Sequence, residues 1–324
     1  MSAVRGAAPR ATSRVRAAAP GGIGNLGPGL DVLGCAVAGP RDEVLAEWSA
    51  EPGVTLLDPG HPELPNDPTR HSSALAAARV LERARAAGVP TPAPGIAVTA
   101  RKRLPLSGGQ GGSAASAVAG AVAANALLGE ALGTTALLEC CLAAEEVVAG
   151  RHLDNVAPSL LGGIVLVRAL DPIDVVRLPV PDGLRIVLAH PAQRLETAAA
   201  RRVLPRDVSR GVAVHQMAQV AAIVAACYTG DLRLLGRAMD DRIAEPARAS
   251  LLPGFVEAKR AALEAGALGA SISGAGPTMF ALAPDDAAAG RVAAAIREAY
   301  AGRGVSCAVR VAEVDRQGAI VSPA

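Results

Sequence analysis

The chain has 324 residues, enough for about two domains and a substantial core. Hydrophobic residues make up 51% of it and aromatics only 2%, so Ala, Val and Leu must fill the core, and no row of rings is available for stacking nucleobases. A net charge of +2 gives no basic field, and no uninterrupted apolar stretch reaches the roughly 18 residues that span a bilayer, so the sequence predicts a soluble protein with neither nucleic acid nor membrane as partner.

In chain order, residues 1–12 carry arginine but no acid, and the first strand follows at once. They read as a disordered tail, too short for a transit peptide. Strands are predicted at "SRVRAAA" (13–19) and "DEVLAEW" (42–48), then a helix at "HSSALAAARVLERARAAG" (71–88) ending on Gly88. The strand "PGIAVTARKRL" (94–104) feeds the segment "PLSGGQGG", and a helix of small residues begins near Ser113. A second helix, "TTALLECCLAAEEVVAG" (134–150), has Thr134 as its predicted N-cap and Gly150 as its stop, and "GGIVLVRAL" (162–170) reads as a buried strand. A Pro- and Asp-rich stretch over 168–183 marks the predicted boundary between domains 13–170 and 171–324.

Beyond it come strand 184–190, helices 207–227 and 254–265, strands 269–273 and 278–283, helix 285–300 and strand 305–314. The whole reads as two α+β domains. Cys35, Cys140, Cys141, Cys227 and Cys307 show no CxxC spacing, which predicts buried thiols in a reducing, cytoplasmic compartment.

Gly108, Gly109, Gly111 and Gly112 allow backbone N–H groups to approach an anion, and the helix beginning near Ser113 points its positive end the same way. Taken alone, the segment reads equally as a phosphate cradle or as small residues permitting close helix packing. It lacks the lysine of a P-loop, and Ala114 stands where a dinucleotide fingerprint needs its last glycine. With only two lysines in the chain, Lys102 and Lys259, phosphate binding is expected to rest on backbone donors, a metal and arginines.

Two further glycine-rich stretches, "PGGIGNLGPGLDVLG" (20–34) and "SISGAGPTMFAL" (271–282), complete a set that resembles the three motifs of the GHMP kinase superfamily. "GRHLDNVAPSLLGG" (150–163), "ETAAARRVLP" (196–205) and "DRIAEPARASLLPGF" (241–255) narrow the resemblance to its homoserine kinase branch.

The resemblance implies a two-domain GHMP kinase fold: an N-terminal domain like ribosomal protein S5 domain 2, and a ferredoxin-like C-terminal domain. It implies ATP-dependent phosphorylation of the L-homoserine side-chain hydroxyl to O-phospho-L-homoserine, a step of threonine biosynthesis, with Mg²⁺ as cofactor and homodimers common. ATP would lie along Pro105, Gly108, Gly109, Gln110, Gly111, Gly112, Ser113, Ala114 and Ser116, with the metal on Ser113 and Glu145. Arg201 and Arg248 would take the substrate carboxylate and Asp31 its ammonium, with Asn25, His152, Asn155 and Thr197 around the amino acid. Asp154 would orient its loop, and no general base is assigned. His61, His71, His190 and His215 receive no role.

Taken singly, Asp31 reads as a turn residue, Thr197 as a helix N-cap and Glu145 as a surface acid. The chain departs from the pattern GLGSSAA at Gln110 and Gly112, and from the first motif's hydroxyls at residues 20–24. Two other readings therefore stay open: a kinase of another small hydroxy compound, and a regulator that binds nucleotide or metabolite.

Overall fold

The computed structural model describes residues 13–323. The tail expected over residues 1–12 lies outside them. In chain order the elements are β1 (Arg14–Gly24), β2 (Leu33–Ser49), β3 (Gly53–Asp58), α1 (Ser72–Ala86), β4 (Gly95–Arg101), α2 (Gly112–Leu127), α3 (Thr134–Val148), α4 (Val156–Leu161), β5 (Ile164–Leu170) and β6 (Ile173–Leu178). There follow β7 (Arg185–Pro191), α5 (Thr197–Arg202), α6 (Arg210–Thr229), α7 (Leu232–Arg237), α8 (Ala244–Ala249), α9 (Phe255–Glu264), β8 (Gly269–Ile272), β9 (Met279–Ala283), α10 (Asp286–Ala301), β10 (Cys307–Ala312) and β11 (Ile320–Pro323).

The first sheet runs β11-β1-β2-β4-β3, with β5 pairing the start of β2 and β6 pairing β5. Only β3 and β4 are parallel. Burial along β1 alternates as far as Ala18, then becomes continuous. A Cβ at Gly21 would sit 2.7 Å from the Gln110 carbonyl oxygen, one at Gly22 2.5 Å from that of Cys35, and one at Gly24 2.4 Å from Asn155 Nδ2. Only glycine lets the chain pass between these neighbours, which accounts for "GGIG".

Helix α2 touches β1, β2, α1, α3 and α4, and all its alanines except Ala126 are buried. A Cβ at Gly120 would come within 2.2 Å of the Ser73 carbonyl oxygen, so α1 and α2 cross at backbone contact. The small-residue run is thus a packing requirement, with a core of Val80, Leu81, Ile96, Val98, Val118 and Leu138 around it.

The second sheet runs β10-β7-β9-β8, antiparallel throughout. Its period of two divides β7: Val187 and Ala189 face α9 and α10, whereas Ile186 and Leu188 join Ile23, Leu33, Val37 and Ile164 of the first sheet together with Ile223 of α6. One apolar core therefore fixes the two sheets against each other. Helix α6 is long and apolar enough to cross a membrane, but its Gln216 is buried and donates to the carbonyl of Pro28 at 2.9 Å and to Asp241 Oδ1 at 2.7 Å.

Three sequence expectations need correction. Sheet membership changes between Leu178 and Arg185 rather than at 170/171, because β6 pairs with β5, and Asp171 and Pro172 form the hairpin turn between them. The segment 171–324 is not one unit either, since β11 returns to β1. Thr134 is the first helical residue of α3; its N-cap is Gly133, without a side-chain bond.

Candidate active site

A cleft of about 550 Å³ is lined by the 105–113 loop, the loop after β1, the ends of α3 and α4 that face it, α5, Arg248 of α8 and the Gly274–Ala275 turn. The three glycine-rich segments meet at its floor. Gly22 N–H donates to the Gln110 carbonyl at 3.0 Å, Gly274 N–H to that of Gly24 at 3.1 Å, and Ser273 Oγ to that of Gly109 at 2.6 Å. Gly109 (φ 69°) and Gly111 (φ 64°) are left-handed, and a Cβ at Gly109 would lie 2.6 Å from the carbonyls of both Ser273 and Gly276. Gly111 caps α2 with no side chain, so the positive end of a 16-residue helix opens on the cleft.

Ser113, in the first turn of α2, donates its hydroxyl to Glu145 Oε1 at 2.7 Å. Glu145 is only 2% exposed and its Oε2 has no hydrogen-bond partner. Burial raises its pKa, partly offset by the Ser113 hydroxyl and the charge of His152. An orphaned carboxylate oxygen beside a hydroxyl is a hard-oxygen set suited to a small divalent cation that binds through few protein groups.

Lys102 closes the other side of the loop. Its ammonium binds the buried Asp42 carboxylate, donates to the Gly112 carbonyl at 2.6 Å and reaches Ser116 Oγ at 3.1 Å. Asp42 also accepts from the backbone N–H groups of Arg103 and Leu104, both at 3.0 Å, and from Ser116 Oγ at 2.7 Å. The charge of Lys102 is balanced here, so the lysine anchors the loop. Sequence reasoning missed it, although a lysine at the end of the strand feeding the loop was the available signal. Removing one partner of a buried ion pair strands the other charge, so Lys102→Met is expected to destabilise the fold by about 3–5 kcal/mol in chemical denaturation. Asp42→Asn added to it should recover part of that loss.

The substrate side is a polar lattice. Asn25, left-handed at φ 68°, donates its backbone N–H to Asp154 Oδ2 at 3.0 Å and its side-chain Nδ2 to the Gly274 carbonyl at 3.2 Å. Its Oδ1 accepts from Asp31 N–H at 3.2 Å. His152 Nδ1 lies 3.3 Å from Asp154 Oδ1, and neither ring nitrogen has a well-formed hydrogen bond. Burial works against charging this imidazole, but the Asp154 and Glu145 carboxylates outweigh it and raise its pKa. Asn155 Oδ1 is likewise buried and unpartnered.

Arg201 grips Asp31 with two bonds, Nη2 to Oδ1 at 2.7 Å and Nη1 to Oδ2 at 3.2 Å, while its Nε remains buried and unpartnered. Arg248 is 3% exposed and has no carboxylate within ion-pair distance among the described residues. Its Nε and Nη1 donate to the carbonyls of Ala200 (3.2 Å) and Gly274 (2.8 Å). Burial lowers its pKa, and the charge of Arg201 adds to that. Two guanidinium groups thus share the cleft, Arg201 paired with Asp31 and Arg248 bonded only to backbone carbonyls.

Of the residues singled out from sequence, Asn25, Asp31, Pro105, Gly108, Gly109, Gly111, Gly112, Ser113, Ser116, Glu145, His152, Asp154, Asn155, Thr197, Arg201 and Arg248 line this one cleft. Gln110 and Ala114 do not. Ala114 is fully buried in the core under α2, and the Gln110 side chain turns toward the second sheet. Ser116 reaches the cleft wall, but its hydroxyl is given to Asp42. Thr197 is the first residue of α5, whose N-cap is Glu196 with no side-chain bond.

The family models described as "GHMP kinases N terminal domain" and "GHMP kinases C terminal" match residues 72–163 and 223–302. A homoserine kinase of Chlorobium phaeobacteroides (strain BS1) is 41% identical over 285 residues, covering 86% of this chain and 89% of that protein. One from Arabidopsis thaliana is 37% identical, covering 83% and 73%. The crystal structure of homoserine kinase from Cytophaga hutchinsonii superposes with a TM-score of 0.91 at 39% identity, covering 98% of this chain and all of that one. With a cleft assembled from the same motifs that carried the resemblance, these likenesses establish that the chain belongs to the homoserine kinases of the GHMP kinase superfamily.

Proposed function

We infer that the chain transfers the γ-phosphoryl group of ATP to the side-chain hydroxyl of L-homoserine, giving O-phospho-L-homoserine and ADP, as a step toward threonine. The observation that carries the residue assignment is that one cleft joins a bare helix N-terminus, an orphaned carboxylate oxygen and an arginine with no acid partner.

Backbone N–H groups of Gly108 to Ser113 would hold the phosphates, because glycine lets them approach and the α2 dipole favours the anion there. The Ser113 hydroxyl and Glu145 Oε2 would hold Mg²⁺, which when bound neutralises charge on the transferred phosphoryl group. Arg248 and Arg201 would receive the substrate carboxylate in bidentate fashion, and Asp31, exchanging part of its bond to Arg201 for the ammonium, would take the other end of the zwitterion. His152 and Asn155 bring unpartnered polar atoms to the same wall and would orient the remainder of the amino acid, with Thr197 beside them. Asp154 fixes this wall: its Oδ2 holds Asn25 and its Oδ1 faces His152. Asp154 Oδ1 has no hydrogen-bond partner but lies 3.3 Å from His152 Nδ1, so we assign it to orienting that wall and leave positioning and charge stabilisation to carry the step.

A coupled ADP-release assay with L-homoserine, L-serine and L-threonine tests the acceptor. Homoserine is expected to give the highest kcat/KM. Preference for another hydroxy compound would support a kinase of different substrate, and nucleotide binding without turnover would support the regulator.

The five cysteines are free, four of them buried as expected and Cys307 only half-buried at the start of β10, which suits the reducing cytoplasm in which we place the enzyme. We also infer a homodimer. Helix α6 turns an uncharged stripe, including Val214, Met217 and Tyr228, toward solvent, and light scattering should give twice the 32.4 kDa chain mass. A monomer mass would remove that assignment.

A further inference from the structure

The phosphate loop is held from across the domain boundary by groups that the reaction does not use. Gln110, where this sequence departs from leucine, is 7% exposed and sends its amide away from the cleft. Nε2 donates to Oγ1 of Thr278 at 3.3 Å, and Thr278 is fully buried just before β9. The same Oγ1 lies 3.0 Å from Nδ1 of His190 on β7.

Donor and acceptor accounting gives this chain a direction. An amide nitrogen only donates, so Thr278 Oγ1 accepts from Gln110 and keeps one hydrogen to give. Neutral His190 can accept it at Nδ1, which leaves the ring proton on Nε2. Burial lowers the pKa of His190, with partial offset from the Gly108 backbone, in keeping with a neutral ring. The path thus starts at the side chain of Gln110 and passes through Thr278, at the entry to β9, to His190 of β7.

We propose that Gln110, Thr278 and His190 form a polar latch by which the second sheet sets the shape of the phosphate loop, making them positioning residues for nucleotide binding. The reasoning is entropic. Four glycines in five positions, 108 to 112, give this segment the greatest freedom a backbone can have, and the serine hydroxyl of the related pattern is missing at Gly112. A loop ordered in advance binds phosphate without the ordering cost, so the latch acts on affinity rather than on the chemical step. A leucine at 110 would fill the space without making the bond.

The proposal rests on reading the loop as the ATP phosphate site, so the test measures binding separately from turnover. Titration calorimetry with a non-hydrolysable ATP analogue and steady-state kinetics with homoserine would be run on Thr278→Val, Thr278→Ser, Gln110→Leu and the double variant Gln110→Leu/Thr278→Val. Removing the hydroxyl or the amide is expected to weaken analogue binding and raise KM for ATP about tenfold, with kcat within about threefold and KM for homoserine within about twofold. Thr278→Ser, which keeps the hydroxyl, should stay near the parent. The double variant should be no weaker than the weaker single one, because both break the same chain.

Unchanged nucleotide affinity in Thr278→Val and Gln110→Leu, a loss in kcat alone, or additive losses in the double variant would overturn the latch. Should Thr278→Val fail to fold, Gln110→Leu, which leaves the strands intact, decides by the same readout. A parent protein that binds the analogue but phosphorylates no homoserine overturns the acceptor assignment and leaves the affinities to judge the latch. One that binds no nucleotide overturns both.

Discussion

Glu145→Gln is expected to lower kcat by about 10²- to 10³-fold while leaving the folded chain no less stable. Glutamine keeps the shape of the side chain and can still accept the Ser113 hydroxyl, so packing under α3 is undisturbed. It removes the negative charge whose Oε2 is buried without a partner. A carboxylate whose pKa is raised by folding stabilises the fold only below its unfolded value. That contribution is lost as pH rises through the folded pKa, so at neutral pH the charge works against folding. Activity and stability should therefore move in opposite directions, which kinetics and thermal melting measured on the same preparation would record. If Glu145 were merely a structural acid, the variant would instead lose stability or leave kcat unchanged. Ser113→Ala should also depress kcat, and it leaves Glu145 Oε1 without its donor.

Arg201→Met should raise KM for homoserine by about 10²-fold with KM for ATP nearly unchanged, in line with the 2–5 kcal/mol typical of truncating a charged hydrogen-bonded partner. The variant loses both bonds to Asp31, and Asp31, partly open to solvent, can rehydrate. The effect should therefore fall on substrate capture more than on folding. Arg201→Lys keeps the charge but not the planar fork, and an intermediate KM is expected. Arg248 is a poorer probe, since its guanidinium also satisfies the carbonyls of Ala200 and Gly274 inside the protein. An Arg201→Met enzyme with unaltered KM for homoserine would remove the arginine from the substrate site.

Glycine segments and the HLDNVAP string were legible in the sequence because their constraint is local. A residue without a Cβ is demanded where backbones touch, as at Gly24 against Asn155 and Gly109 against Ser273. The long elements were legible for a similar reason, since periodicity is written into each one separately. What the sequence concealed is relational. Lys102 and Asp42 are 60 positions apart and meet only because β2 and β4 are neighbours. His190 looked idle because its partner Thr278 is 88 positions away, and Gln110 looked like a loss to the phosphate loop because its bond lies across the domain boundary. Short elements such as β3, β6 and α4 have too few residues to display a period, and the Asp-Pro turn signal does not distinguish a hairpin from a linker.

The central claim is geometric: one cleft presents an amino-acid hydroxyl to the terminal phosphate at the head of α2. A crystal structure with Mg²⁺, a non-hydrolysable ATP analogue and L-homoserine tests it most directly. The account predicts the homoserine carboxylate on Arg201 and Arg248, its ammonium on Asp31, and its hydroxyl oxygen facing the γ-phosphorus beside Ser113. Homoserine bound with its hydroxyl turned away, or a triphosphate seated anywhere other than the 108–113 loop, would contradict it.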